Sequence, residues 1–536
     1  MQTINRTNGK RTNYRWVICS MLFFATTVNY LDRQVLSLTW QDFIAPEFHW
    51  TNSDYGNIAS LFSLFYAISM LFAGRFVDWM DTKKGFLWAI GIWSAGACLH
   101  AFCGIATSGI TTGNWFVGFG EAAALIKGVG NTAQIISVSV TLFIFARFIL
   151  ALGEGGNFPA AIKATAEFFP KKDRAFSTSI FNAGATVGAL AAPVSIPFIA
   201  QAWGWEMSFI VIGALGFVWM GFWVFIYKKP EVHPKINAAE LAYIQQDSEQ
   251  EKTVATPAKE KVSFVKCLKY KQTWAFAVGK FMTDGVWWFL LFWAPAYLGS
   301  IYGMNATEKA LPLFVLYAIT LLSIVGGWLP TFFVEKRGMN PYAGRMKAML
   351  IFAFFPLLAL LAQPLGSITY WIPVIIIGIA GAAHQAWSAN IFSTIGDMFP
   401  KKAIATITGI GGMAGSVASF FINKSSGILF DYSQLHWSTL NGTPLLEKFP
   451  SLQGNEAVKQ FLAEQGAALK QYLPEGKEIP GNLSEYFVAL NKSGVECFDG
   501  INTGYMIIFS VCAVSYLTGW IIMKALVPKY KPVNDL

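Results

Sequence analysis

The sequence predicts an all-α polytopic membrane protein of twelve transmembrane helices, arranged as two six-helix halves that repeat in parallel. Three observations carry this: 54% of the 536 residues are hydrophobic and only 13% charged, Lys and Arg gather in alternate loops, and two loop motifs recur about half a chain apart. A soluble enzyme would carry roughly 25% charged residues, and the mean hydropathy here is +0.44.

Apolar runs bounded by charge or turn residues lie at 16–38, 55–74, 85–105, 133–162, 176–200, 207–227, 274–298, 310–334, 346–364, 370–397, 404–430 and 502–526. Each is near the roughly 20 residues a helix needs to cross the hydrocarbon core. Pro159, Pro193, Pro197 and Pro295 interrupt some of them, which spanning helices tolerate when neighbours or water satisfy the freed backbone groups. The first run leads into Asn29-Tyr30-Leu31-Asp32-Arg33 with no small-x-small cleavage site. It therefore reads as a retained span, not a signal peptide.

With the amino terminus in the cytoplasm, 28 of the 40 Lys and Arg fall in inner loops. The short outer loops hold only Lys127 and Lys309, and the long 431–501 segment holds five more. This bias places both termini inside, and it accounts for the net charge of +9 without a nucleic-acid partner. The six cysteines are scattered, mostly in apolar stretches, and form neither a disulfide framework nor a zinc pattern.

Phe169-Pro170-Lys171-Lys172 after span 4 recurs as Phe399-Pro400-Lys401-Lys402 after span 10, an offset of 230 residues. Gly74, Lys83, Lys84 and Gly85 after span 2 are matched by Gly327, Lys336, Arg337 and Gly338 after span 8, an offset of 253. The difference of 23 requires extra residues in the first half, and the Gly/Ala-rich stretch 105–130 supplies them. The expected organisation is a first half at 1–227, a polar cytoplasmic linker at 228–273 and a second half at 274–536, with 431–501 an extracytoplasmic insertion. Two such halves in parallel repeat are a transporter architecture, with the substrate site between them near the midplane.

A charge inside a span costs at least about 2.5–3.5 kcal/mol and is a functional-site hypothesis by default. At 1.5 Å per residue, Asp32 and Arg33 lie about 24 Å along span 1, and Arg147 in span 4 reaches nearly the same height. Glu154 is two turns beyond Arg147 on the same face, about 10 Å nearer the cytoplasm. Either spans 1 and 4 share a buried structural salt bridge, or an anion site is coupled there to a titrating carboxylate. Asp284 lies in span 7 one turn after Lys280, so a simple intrahelical pair competes with a functional role. His384 and Gln385 sit about 20 Å above the inner end of span 10. No catalytic, nucleotide-binding or metal motif stands in a matching context.

These features resemble the major facilitator superfamily, and within it the organic anion:cation symporter branch. Four stretches carry the resemblance: Asn29 to Arg33; Gly74-Arg75-Phe76-Val77-Asp78 with Thr82-Lys83-Lys84-Gly85; Arg147 to Pro159; and Phe168 to Arg174. Ala383-His384-Gln385-Ala386 and Thr283 to Phe289 are similar to the hexuronate transporters, importers of galacturonate and glucuronate. The resemblance implies that Arg33 and Tyr66 line the substrate site and that Arg147 and Glu154 serve coupling. Trp287, His384 and Gln385 are expected to complete the substrate site, and Asp32 and Asp284 to join the coupling groups. Two departures stand after span 2, where the superfamily pattern expects a basic residue and a glycine but this chain has Trp79 and Asp81. The expectation is a monomeric bacterial inner-membrane symporter of hexuronate and protons, needing no cofactor or metal. Other organic anions (aldonates, aldarates) are the alternative cargo, and a transporter-like sugar-acid sensor the alternative class.

Overall fold

The computed structural model describes residues 11–246, 263–452, 454–473 and 479–533. Among these described residues, twelve long helical spans cross the body of the molecule. In the first half, span 1 is Tyr14–Thr39, span 2 Asn52–Met80, and span 3 Thr82–Ala101 with a bent extension, Cys103–Thr112. Span 4 is Thr132–Phe168, span 5 Lys171–Trp203 and span 6 Trp205–Ile226. The second half repeats them as Lys271–Tyr302, Ala310–Arg337, Pro341–Gly366, Trp371–Met398, Lys401–Trp437 and Ile501–Leu526.

Among the described residues, nine of these are long and apolar enough to cross a membrane, and the bent span 3 makes a tenth. Spans 1 and 11 are the two that fall short, and the cause is polar residues turned inward. Asn29, Asp32, Arg33 and Gln34 of span 1, and Ser416, Ser419, Asn423 and Ser426 of span 11, are all buried.

Across the halves, span 1 meets span 7, span 2 meets span 11 and span 5 meets span 8. Exchanging the two repeats converts the second pair into the third, so the interface has the pseudo-twofold symmetry that a parallel repeat demands. Polar bonds joining the halves concentrate at the end opposite the termini. There Asp431 of span 11 caps the first turn of span 2, accepting from the Asn52 and Ser53 amides at 3.0 and 2.7 Å. Lys309 bonds Asp42 at 2.7 Å, and the Tyr55 hydroxyl donates to the Phe292 carbonyl at 2.8 Å.

At the termini end, residues 228–246 pack against the first half. The Glu240 carboxylate accepts from the Thr12 hydroxyl at 2.6 Å, from the Tyr14 and Arg15 amides at 3.1 Å each, and from the Arg15 guanidinium at 3.1 Å. It therefore satisfies the free amides at the start of span 1. Residues 247–262 of the expected linker lie outside the described residues.

Between spans 11 and 12 the chain builds a small cap with its own core, including Leu445, Phe461, Leu483 and Phe487. A three-stranded sheet of order β2-β1-β3 (β1 Thr439–Leu440, β2 Thr443–Pro444, β3 Cys497–Phe498) ties its ends together. Asn441 and Gly442, both at positive φ, form the two-residue loop between β1 and β2, as an Asn-Gly pair favours.

After span 2, Asp81 stands where the superfamily pattern expects glycine, and its backbone still takes the glycine conformation, φ 71° and ψ 152°. That region is nearly closed to other residues and costs on the order of 1–3 kcal/mol. The side chain offsets part of this by accepting from the Thr82 amide at 2.9 Å. Its ion pair with Lys229 is half-exposed and contributes little. Asp81→Gly is expected to stabilise the protein by about 1 kcal/mol, read as a higher melting temperature in detergent; a lower one would contradict the strain.

Candidate functional site

Asp32 and Arg33 are consecutive on span 1, so about 100° of helix rotation separates them and they serve different surroundings. Arg33 points to the junction of the halves and is 2% exposed. Its guanidinium carbon lies 5.1 Å from the Tyr30 ring centre, 4.8 Å from Tyr66 and 4.8 Å from Trp288 of span 7. Aromatic faces at this range attract a cation by about 0.5–2 kcal/mol each. Nε and Nη2 both donate to one oxygen of Glu154, Oε2, at 3.0 and 2.5 Å.

The Gly153-Glu154-Gly155-Gly156 run explains how Glu154 reaches that position. A Cβ on Gly153 would lie 2.3 Å from the Trp93 amide of span 3, and one on Gly155 2.3 Å from the Ser69 hydroxyl of span 2. Neither close approach admits a side chain. Span 4 is therefore wedged against spans 2 and 3 on both sides of Glu154, which is left facing span 1.

The bond between Arg33 and Glu154 is the buried salt bridge between spans 1 and 4 that the sequence offers as one of two readings. Glu154 bonds Arg33, whereas Arg147 keeps Nε and Nη1 without a partner and lies 5.1 Å over the Phe62 ring. A separation of two helical turns, about 10 Å, exceeds salt-bridge reach, so the carboxylate takes its partner from the facing helix. Both oxygens of Asp32, the amides of Asn29 and Asn157, and Oε1 of Glu154 are likewise buried and unpartnered.

Across the junction, Lys280 and Asp284 form the intrahelical pair at 2.7 Å. Trp287 turns into the second half and stacks on His384, with ring centres 5.3 Å apart and planes 5° apart. His384 Nδ1 lies 2.8 Å from the Tyr516 hydroxyl. Gln385 is half-buried beside it. The structure thus gathers Arg33, Tyr66 and Glu154 into one cluster and Trp287 and His384 into another, with Asp284 bound to Lys280 on span 7 between them. Trp288, absent from the expected site, is the span 7 residue that touches the Arg33 cluster. The adjacent Trp287-Trp288 pair was the available signal, because neighbours on a helix cannot both face the same way.

Residues 22–422 match the family model of the Major Facilitator Superfamily. The chain belongs to that superfamily. As a superfamily member it is an integral multi-pass membrane transporter and not an enzyme. It is similar to the hexuronate transporter of Escherichia coli (strain K12), 27% identical over 423 residues, covering 78% of this chain and 88% of the relative. It is 26% identical over 333 residues to the galacturonate transporter of Dickeya chrysanthemi, covering 62% and 86%. A probable galactarate/D-glucarate transporter, GarP of E. coli K12, is 26% identical over 438 residues, covering 80% and 90%.

Among solved structures, a bacterial homologue of the lysosomal transporter Spinster, inward-facing and occupied, superposes with a TM-score of 0.65 at 16% identity. It covers 98% of this chain and all of that one. The E. coli xylose transporter XylE, in a partially occluded inward-open state, gives 0.54 at 15% identity, covering 78% and 92%. In this superfamily fold, the Arg33 cluster sits where the two halves meet.

Proposed function

We propose that this transporter imports hexuronates, galacturonate or glucuronate, by proton symport through alternating access. Both termini and residues 228–273 face the cytoplasm of a bacterium, and the 431–501 cap lies outside its inner membrane. The observation that carries the reading is the commitment of Arg33 to a single carboxylate oxygen of Glu154. A sugar-acid carboxylate matches a guanidinium fork, and here it must compete with Glu154 for the same fork. Protonating Glu154 removes its claim on Arg33, so proton binding and anion binding favour each other, as linkage requires.

The charge balance supports a ratio of one proton per substrate. Arg33, Arg147, Asp32 and Glu154 are neutral as a set when all are ionised, so one added carboxylate calls for one added proton. The named relatives include transporters of both hexuronates and dicarboxylic aldarates. Lys280, the cation on the facing span 7, is already bound to Asp284. A second substrate carboxylate would find it neutralised, which favours the monocarboxylic hexuronate.

Uptake of labelled galacturonate into proteoliposomes under an inside-alkaline gradient tests the reading. Accumulation that galacturonate, but not galactarate, competes away is the expected result. Binding without accumulation would instead make the protein a sensor, and preference for galactarate would overturn the charge argument.

A further inference from the structure

At the cap end, the interior of the first half encloses ionisable groups that the cycle above does not use. Glu47 lies on the single turn Ala45–Phe48 between spans 1 and 2 and is 9% exposed. Its Oε2 accepts from the Trp205 indole at 2.9 Å, whereas Oε1 is buried without a partner. A Cβ on Gly104 would stand 3.5 Å from that Oε1 and 3.7 Å from the Trp205 ring, so the carboxylate lies against the bent extension of span 3.

His100, four residues before Gly104 and fully buried, ends the straight part of the same span. Its Nδ1 is 2.7 Å from the Gly96 carbonyl, which makes Nδ1 the protonated nitrogen and leaves Nε2 a lone-pair acceptor. Nε2 has no partner.

One set of rings holds both groups. His100 stacks on Phe209 at 4.8 Å and meets Phe143 at 5.7 Å, and Trp205 touches the same two rings at 6.0 and 5.8 Å. A buried carboxylate oxygen and a buried imidazole nitrogen, each unpartnered beside the same aromatic wall, are the kind of polar lining that retains ordered water. Deeper in the half, Nε and Nη1 of Arg147 and both oxygens of Asp32 continue the set of unpartnered buried atoms. Arg147 lies within electrostatic reach of His100 on one side and of Asp32 and Glu154 on the other.

We propose that Glu47 and His100 form the proton's entry port into the first half, separate from the substrate's route. Glu47 takes a proton from the outer solvent, and water held at His100 Nε2 relays it inward. Glu47 returns to the carboxylate as Asp32 or Glu154 becomes the carboxylic acid, while His100 keeps its Nδ1 proton on the Gly96 carbonyl throughout. The 105–130 insertion gains a purpose in this scheme, because its helix Phe119–Lys127 packs on the Glu47 turn. The proposal rests on the proton-symport reading above.

Glu206 of span 6 and Lys127 of the insertion face Glu47. Of its other neighbours, the span 3 extension brings Cys103, span 4 offers no ionisable group before Arg147, and Asp42 and His49 turn to Lys309 and Lys459. Burial pushes the Glu47 carboxyl up to about 7; the Trp205 hydrogen bond opposes the rise, Glu206 adds to it and Lys127 lowers it. Above that pH the port stays ionised and carries fewer protons inward.

The test is galacturonate uptake by the full-length protein in proteoliposomes, with external pH varied either side of about 7, alongside substrate-driven alkalinisation of the medium. Glu47→Gln is expected to depress proton-driven uptake about tenfold more than counterflow exchange and to abolish the inflection in external pH. Trp205→Phe removes a donor to the ionised form, so it should move the inflection to higher pH, and Glu47→Asp should restore it in part. If the wild-type protein moves substrate without alkalinising the medium, the symport reading falls and takes the port with it. If it does alkalinise the medium while Glu47→Gln and Trp205→Phe keep the wild-type pH profile, the port alone is rejected. Should Glu47→Gln lose exchange as well, the shift in Trp205→Phe decides the matter.

Discussion

Arg33→Lys is expected to lose between about tenfold and a hundredfold in affinity for galacturonate while the protein still folds and reaches the membrane. The variant keeps the positive charge and contact with the Tyr66 and Trp288 rings, but replaces a planar fork with a single ammonium. Losing one charge-assisted hydrogen bond to a desolvated carboxylate costs about 1.5–3 kcal/mol, and each 1.4 kcal/mol is roughly tenfold in affinity. Calorimetric titration of the purified variant measures this directly. Wild-type affinity would remove Arg33 from the substrate site and leave its bond to Glu154 a structural brace between spans 1 and 4.

Glu154→Gln separates the same two possibilities from the other side. A neutral amide mimics the protonated acid, so Arg33 is released permanently. Substrate should bind and exchange across the membrane, yet an imposed proton gradient should no longer concentrate it. At one proton per substrate, a gradient of one pH unit supports about tenfold accumulation in the wild-type protein, whereas the variant should stop near an even distribution. Its affinity should also cease to depend on pH, where the wild type binds more tightly as the pH falls. A variant that still concentrates galacturonate would reject Glu154 as the coupling group, and one that fails to fold would mark it as a structural partner of Arg33.

The fold was legible because charges are rare in this chain and therefore informative. Spans 1 and 11 are less apolar than the other spans, yet charged residues and the repeated Phe-Pro-Lys-Lys motif bound their runs. The same rarity singled out Arg33, Arg147 and Glu154. Periodicity could not say which helix each would face: a helical repeat fixes the angle between two side chains on one rod, not the identity of the neighbouring rod. That is why a bridge between spans 1 and 4 can be expected without naming Arg33 and Glu154 as its partners, and why the expected Trp287 turns to His384 while Trp288 makes the contact. Glu47 and His100 carry no sequence signal because one lies in a loop and the other near a span end, and only the packing of span 6 sets Trp205 beside the first and Phe209 beside the second.

The bond between Arg33 and Glu154 also orders events during synthesis. Span 1 enters the bilayer first, but the residue that neutralises its arginine lies 121 positions downstream. At roughly 5–20 residues per second, the ribosome needs on the order of ten seconds to deliver it. Through that interval the nascent helix carries a penalty of a few kcal/mol for each unpaired charge. The bundle of the first half can lock only once span 4 arrives. Assembly is thus paced by translation, with the adjacent Asp32 the nearest counter-charge available to the waiting arginine.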